Sequence, residues 1–158
     1  MKIHPETKIG HVHLTVADLD RALAFYQDIL GFEMTARYGD SAVFLSAGGY
    51  HHHIGLNTWA GKEATPPAPG HTGLYHFAIL FPSRKELAKA VQGLIEKGYP
   101  IDGASDHGVS EAIYLQDPDG NGIELYRDRP KEEWKITEGK IEMGSGPLDI
   151  NSLLEELR

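Results

Sequence analysis

The sequence predicts an α+β fold in which a strand-helix-strand-strand-strand module occurs twice along the chain. Each copy opens with a histidine in a strand-like stretch, His11 or His76. A residue suited to cap a helix, Asp18 or Ser83, follows each histidine seven positions later, and a glycine ends each predicted helix. The same order of features in both halves indicates an internal duplication.

The first module, at about residues 9–58, follows from its hydrophobic pattern. Residues 9–17 alternate as in a strand. Three apolar residues lie on one side of this strand: Val12, Leu14 and Val16. A helix capped by Asp18 should end at Gly31, since glycine tolerates the left-handed backbone that stops a helix. Three further strands are predicted near Phe32–Tyr38, Ala42–Ser46 and His51–Asn57.

The second module, at about residues 73–129, repeats this order after a linker rich in proline, glycine and alanine. A strand over Leu74–Phe81 precedes a helix that begins after Ser83 and ends at Gly98. Three strands are predicted near Ile101–Ser105, Ser110–Gln116 and Gly122–Tyr126. We expect the two modules to form one domain, residues 1–130.

The remaining residues, 131–158, differ in character from the modules. They predict a polar connector followed by a short C-terminal helix. Four residues form the apolar stripe of this helix: Ile150, Leu153, Leu154 and Leu157. The stripe must pack on a hydrophobic partner, and this domain, a second copy of the chain and a further domain are the three candidates.

The composition excludes several classes of function. The net charge of −8 over 158 residues argues against a nucleic acid or an anionic membrane as a partner. The chain has no cysteine, which excludes a disulfide framework and thiolate metal ligands. It has neither a stretch of about 18 apolar residues nor an apolar N-terminal run, so we expect no membrane span, no signal peptide and a cytoplasmic location.

Strand alternation predicts that three candidate metal ligands lie on the sheet face away from the helices: His11, His76 and Glu124. The residues of the second module expected to face the core instead are Tyr75, Phe77, Ile79, Ile123 and Leu125. One such histidine alone is more often a satisfied polar group or a surface residue. Three ligand-type residues at corresponding places in a duplicated unit favour a metal site, and two imidazoles with one carboxylate suit non-haem Fe(II) or Mn(II).

Three stretches of the chain, all within residues 9–129, carry a family resemblance. They are G-H-V-H-L-T-V-A-D-L-D-R-A-L-A-F-Y-Q-D-I-L-G-F, L-Y-H-F-A-I-L and Y-L-Q-D-P-D-G-N-G-I-E-L-Y. They resemble the vicinal oxygen chelate superfamily, which includes glyoxalases, bleomycin resistance proteins and dioxygenases. The resemblance implies that the two βαβββ modules form a cup-shaped mixed sheet, the glyoxalase/dioxygenase fold. It also implies that the metal ligands are His11, His76 and Glu124.

Within that superfamily, the chain resembles the type I extradiol catechol 2,3-dioxygenases. The resemblance implies that His52 is the acid/base, with His107 and Tyr114 as further catalytic residues. Simple alternation would instead turn His52 to the core and place His53 in the cup, unless a bulge intervenes. His53 is therefore the second candidate for the base, and His13 and His53 are expected to line the substrate pocket.

The resemblance implies an Fe(II)-dependent dioxygenase, with Mn(II) as the alternative metal, that uses O2 to open a catechol-type ring next to its diol. Its partners would be a small aromatic diol and O2, and we expect a homo-oligomer, most simply a dimer. The alternatives are a fosfomycin thiol transferase, a glyoxalase-type lyase or isomerase, and a metal-free binding or resistance protein. Many extradiol enzymes are about twice as long, so the chain is either a single-domain relative or part of a two-domain architecture.

Overall fold

The computed structural model describes residues 2–158 and divides them into two compact units, one ending at Thr65 and one spanning Pro66–Arg158. Each unit contains a strand, a helix and three further strands, in that order along the chain. The predicted duplication of an α+β module is therefore confirmed, whereas the grouping of both modules into one domain, residues 1–130, stays a prediction. Within residues 2–158, no helix is long and apolar enough to cross a membrane.

The first unit contains a four-stranded mixed sheet. Its strands are β1 (Val12–Thr15), β2 (Glu33–Tyr38), β3 (Ala42–Ser46) and β4 (Ile54–Asn57). They lie in the order β1-β4-β3-β2, with β1 parallel to β4 and the other neighbours antiparallel. The register of the β2–β3 pair shifts between Met34 and Ala36, so the edge strand β2 carries a bulge.

Helix α1 (Leu19–Tyr26) begins where the sequence predicts and ends earlier. The carboxylate of Asp18 accepts a hydrogen bond from the backbone N–H of Arg21 (3.0 Å), which caps the first turn. Beyond the helix, two backbone N–H groups both bond to the carbonyl of Phe25, so the chain turns tightly before it reaches Gly31. Gly31 has the positive φ, 85°, that its place in the sequence predicts.

The second unit contains a five-stranded sheet and most of the tail. Its first four strands are β5 (Phe77–Leu80), β6 (Gly103–Asp106), β7 (Ser110–Gln116) and β8 (Gly122–Asp128). Helix α2 (Arg84–Glu96) follows β5, and the hydroxyl of Ser83 caps it by accepting from the N–H of Glu86 (3.2 Å). The predicted capping residue of the second module is thus confirmed.

The tail is more structured than the predicted polar connector. Its elements are a 3-10 turn at Lys131–Glu133, the strands β9 (Ile136–Thr137), β10 (Lys140–Ile141) and β11 (Gly146–Pro147), helix α3 (Ile150–Leu154) and a 3-10 turn at Glu155–Leu157. β11 joins the sheet of the second unit, which has the order β11-β6-β7-β8-β5. Leu153 is fully buried where α3 packs against α2, so the apolar stripe is covered within its own unit.

Both leading strands begin later than predicted, because ladder pairing starts only at Val12 and Phe77. His11 and His76 therefore lie immediately before their strands rather than inside them. The prediction that Tyr75 faces the core is wrong, since its side chain is 88% exposed and alternation does not extend beyond the start of β5. The core face is otherwise as predicted: Leu14, Val16, Phe77, Ile123 and Leu125 are buried, and Ile79 is half-buried.

A buried carboxylate ties the strands of the second unit to its helix. Glu111 is 4% exposed, and its carboxylate accepts hydrogen bonds from Arg84 (3.0 Å) and Arg127 (2.7 Å). Arg84 also donates to the carbonyl of Ser152 (3.1 Å), so the same guanidinium holds the tail helix.

Glu111→Gln should lower the free energy of unfolding by about 3 kcal/mol, because it leaves partly buried guanidinium groups without their counter-charge. Urea unfolding of the variant against the parent measures this. The matched control is Glu86→Gln, which breaks only the exposed pair with Lys89 (2.7 Å) and should cost less than about 1 kcal/mol. Equal losses in the two variants would mean that Glu111 is no more than a surface ion-pair partner.

Candidate active site

In the first unit, His11 and His52 pack against each other. The centroids of their imidazole rings are 4.3 Å apart. The ring of His52 also meets that of Phe44 on β3 in a T-shaped contact, at 5.1 Å between centroids. A predicted metal ligand and the predicted acid/base are therefore neighbours in this unit.

The alternation that argued against His52 does not apply, because β4 begins only at Ile54. Residues 51–53 are not part of a strand, so no bulge is needed to turn His52 away from the core. Nδ1 of His52 lies 2.7 Å from Nδ1 of His51, a distance at which one nitrogen donates and the other accepts. Burial lowers the pKa of His52 below its usual range, and the neighbouring imidazole of His11 lowers it further.

His53 is held in a different way. Its Nδ1 lies 3.1 Å from Oγ of Ser46 and accepts a hydrogen bond from the backbone N–H of Ala47 (3.3 Å). Because Nδ1 accepts from a backbone N–H, the neutral ring carries its proton on Nε2. His53 is thus fastened to the end of β3, whereas His52 packs on the predicted ligand His11.

The predicted pocket residue His13 lies flat across the sheet. It stands opposite Gly55 on the neighbouring strand β4, and a Cβ added to Gly55 would come within 2.9 Å of Cγ of the His13 ring. Phe44 and Trp59 flank this ring, with centroids at 5.9 and 5.4 Å. Sequence patterns did not indicate these two aromatic neighbours, because the contact depends on strand order in the sheet.

In the second unit, His76 and Glu124 form a close pair. Nε2 of His76 lies 2.9 Å from Oε2 of Glu124, and the two side chains are 30% and 13% exposed. Glu124 alternates with the buried Ile123 and Leu125 on β8, as predicted. An imidazole nitrogen and a carboxylate oxygen are donors that non-haem iron and manganese accept, so the pair fits two of the three predicted ligands.

Tyr114 and His107 lie beside this pair. Tyr114 on β7 stands directly opposite Glu124 on β8, and its hydroxyl is 2.5 Å from Nε2 of His107. Burial raises the pKa of Tyr114, and the charge of Glu124 and a hydrogen bond with it raise the pKa further, so the phenol stays protonated at neutral pH. The second unit therefore assembles two predicted ligands and two predicted catalytic residues, which we call the His76–His107 row: His76, Glu124, Tyr114 and His107.

A glycine at the start of β8 makes this arrangement possible. A Cβ on Gly122 would clash with the backbone carbonyl oxygen of Tyr75 and lie 3.1 Å from Cβ of His76. Glycine alone lets the segment that carries His76 pass so close to β8. The sequence places Gly122 in a turn, but no sequence pattern signals this contact, since it depends on the pairing of β5 with β8.

The predicted ligand set is met in part. Among residues 2–158, no three histidine, aspartate or glutamate side chains are grouped so that they could hold a metal ion as they stand. The structure pairs His76 with Glu124 and, in the first unit, His11 with His52. The complete set of three ligands stays a prediction.

The chain belongs to the Glyoxalase/Bleomycin resistance protein/Dioxygenase superfamily, whose family model matches residues 8–125. A solved structure with the same fold is a glyoxalase/dioxygenase from Nostoc punctiforme, with a TM-score of 0.68 and 22% identity over 82% of this chain and 98% of that one. The predicted glyoxalase/dioxygenase fold class is confirmed by this match.

Two curated relatives are named as dioxygenases. Catechol-2,3-dioxygenase from Bacillus subtilis (strain 168) is 46% identical over 98% of this chain and 53% of its own length. The manganese-dependent 2,3-dihydroxybiphenyl 1,2-dioxygenase from Geobacillus genomosp. 3 is 29% identical over 84% of this chain and 40% of its own length. This chain therefore spans about half the length of these relatives.

Proposed function

We propose that this chain provides a metal-dependent extradiol dioxygenase site, which uses O2 to open a catechol-type ring next to its two hydroxyl groups. The His76–His107 row carries the proposal, because it joins an N,O ligand pair to two groups that hydrogen-bond. The ligands of the proposed site are His11, His76 and Glu124, and the metal is Fe(II), with Mn(II) as the alternative. The names of the relatives support the same chemistry.

Each predicted residue has a role in this proposal. A divalent ion held by the ligands would supply open positions for both diol oxygens and for O2. His52 takes the proton from a substrate hydroxyl, as an imidazole can near neutral pH. Tyr114 and His107 hydrogen-bond the ring oxygens, and His13 and His53 line the pocket.

Oxygen uptake tests the proposal directly. The chain is loaded with Fe(II) under anaerobic conditions, mixed with catechol and exposed to air. We expect uptake of O2 and a yellow ring-opened product, with a parallel sample loaded with Mn(II) to separate the two metals. If a panel of substituted catechols gives no uptake with either metal, the proposal is wrong, and the thiol transferase and isomerase alternatives are assayed instead.

The close contact at Gly122 gives a prediction about the metal. Gly122→Ala should lower the metal affinity by about 10- to 100-fold, the range seen when support of a ligand is lost, because the new methyl group displaces the segment that carries His76. Titration with the metal ion measures the dissociation constant. The control is Gly103→Ala on β6, where a Cβ meets nothing within 4 Å. An unchanged affinity in Gly122→Ala would show that the position of His76 does not depend on this contact.

A further inference from the structure

The tail of the second unit reaches the His76–His107 row at Gly144. The carbonyl oxygen of Gly144 lies 2.7 Å from Nδ1 of His107, and its backbone N–H donates to the carbonyl of His107 (3.1 Å). β11 then pairs with β6, with Gly146 opposite Asp106. We call residues 142–147 the strap, since these hydrogen bonds fasten them across the loop that carries His107.

The hydrogen bonds of His107 fix the position of its ring proton. A carbonyl oxygen can only accept, so Nδ1 must carry a hydrogen to bond with Gly144. In the neutral ring, Nε2 then has a lone pair, and this lone pair faces the hydroxyl of Tyr114 at 2.5 Å. The ring could otherwise place its proton on Nε2 and donate to Tyr114.

We propose that the strap is a positioning element of the candidate active site, in which the carbonyl of Gly144 holds His107 with its proton on Nδ1 and its Nε2 lone pair toward Tyr114. The catalytic consequence rests on the proposed function, whereas the position of the proton does not.

The position of this proton decides what Tyr114 offers to a substrate. The phenol has one hydrogen and two neighbouring acceptors, Nε2 of His107 and the carboxylate of Glu124. When Glu124 serves as a metal ligand it becomes the weaker acceptor, and the hydrogen goes to His107. The phenol oxygen then presents lone pairs, which suits it to accept a hydrogen bond from a substrate hydroxyl. With the other tautomer of His107, Tyr114 would instead offer its O–H.

The strap is attached mainly through these hydrogen bonds. It borders a cavity of about 760 Å³, which residues 106–108, 133, 135 and 142–147 line. Loss of the backbone bond at Gly144 should therefore loosen the strap without disturbing the core of the unit. The carbonyl of Gly144 would then no longer be held against His107.

Nuclear magnetic resonance of ¹⁵N-histidine-labelled protein tests the proposal without any activity assay. Long-range ¹H–¹⁵N correlations report which ring nitrogen carries the proton, and His107→Asn identifies the signal of His107 by its loss. At a pH where the ring is neutral, we expect the proton on Nδ1. A proton on Nε2 in the parent protein would overturn the proposal outright.

Gly144→Pro and Gly144→Ala form a matched pair. Proline removes the N–H that bonds to the carbonyl of His107, whereas alanine keeps it and its Cβ meets nothing within 4 Å. We expect the alanine variant to keep the Nδ1 proton and the proline variant to show a mixture of tautomers. If both variants keep the parent tautomer in full, the strap does not hold the ring, and the proposal fails.

Kinetics then connect the strap to the reaction. Relative to Gly144→Ala, Gly144→Pro should lower kcat on the order of 10-fold, part of the 10²–10⁴ that a well-placed acid-base group contributes. In the His107→Asn background the same proline should cost nothing further. An equal loss in both backgrounds would indicate general loosening and contradict the proposal. Absence of ring cleavage in the parent itself would refute the proposed function and leave the tautomer result to decide the role of the strap.

Discussion

His76→Ala is expected to lose bound iron and, with it, ring-cleaving activity. In the structure Nε2 of His76 faces Oε2 of Glu124 at 2.9 Å, and alanine removes this nitrogen entirely. Loss of a ligand should lower the metal affinity by more than the roughly 10- to 100-fold that loss of an outer-shell partner causes. The measurements are iron per chain after dialysis and O2 uptake with catechol.

The control for this variant is His71→Ala. His71 is exposed and its Nδ1 lies 2.8 Å from the carbonyl oxygen of Ala68, away from the His76–His107 row. This variant should keep the iron content of the parent, which excludes a general effect of removing one histidine. Stoichiometric iron in His76→Ala would show that His76 is not a ligand.

His52→Ala should keep its metal and lose about 10²–10⁴ in kcat, the contribution of a general base. The ring of His52 packs on His11 at 4.3 Å and on Phe44, so it stands beside the proposed metal site without being counted among the ligands. Steady-state kinetics with catechol, together with the iron content of the same preparation, separate loss of the base from loss of the metal.

His53→Ala distinguishes the two candidates for the base. Nδ1 of His53 bonds to Ser46 and Ala47 at the end of β3, which gives this ring an anchoring role. We expect His53→Ala to lower kcat much less than His52→Ala does. A larger loss in His53→Ala would reverse the assignment, and a parent-like kcat in both variants would exclude a histidine of this segment as the base.

Local pattern was enough to predict the elements that the sequence encodes locally. The helix caps at Asp18 and Ser83 follow from short side chains placed before an apolar stripe, and both are confirmed. Alternation correctly assigned the face of Glu124, because β8 is a regular strand throughout this region. The same rule failed for Tyr75 and for His52, since both lie outside the strands to which alternation was extended.

Contacts between distant parts of the chain could not be predicted in this way. The carbonyl of Gly144 has no side-chain signature, and its partner His107 lies far away in sequence. The requirement for glycine at position 122 arises only once β8 passes beneath the segment before β5. Hydrophobic periodicity carries no information about such backbone contacts, and therefore the tail was predicted as a connector only.

The bulge in β2 affects how the isolated protein behaves at high concentration. An edge strand with regular backbone spacing can pair with the same strand of another molecule and start aggregation. The register shift between Met34 and Ala36 interrupts that spacing, and the charges of Glu33 and Arg37 lie on the same strand. The hydroxyl of Thr35 at the bulge donates to the carbonyl of His51 (2.7 Å). The irregularity that makes this edge a poor template for association therefore also anchors the segment that presents His52.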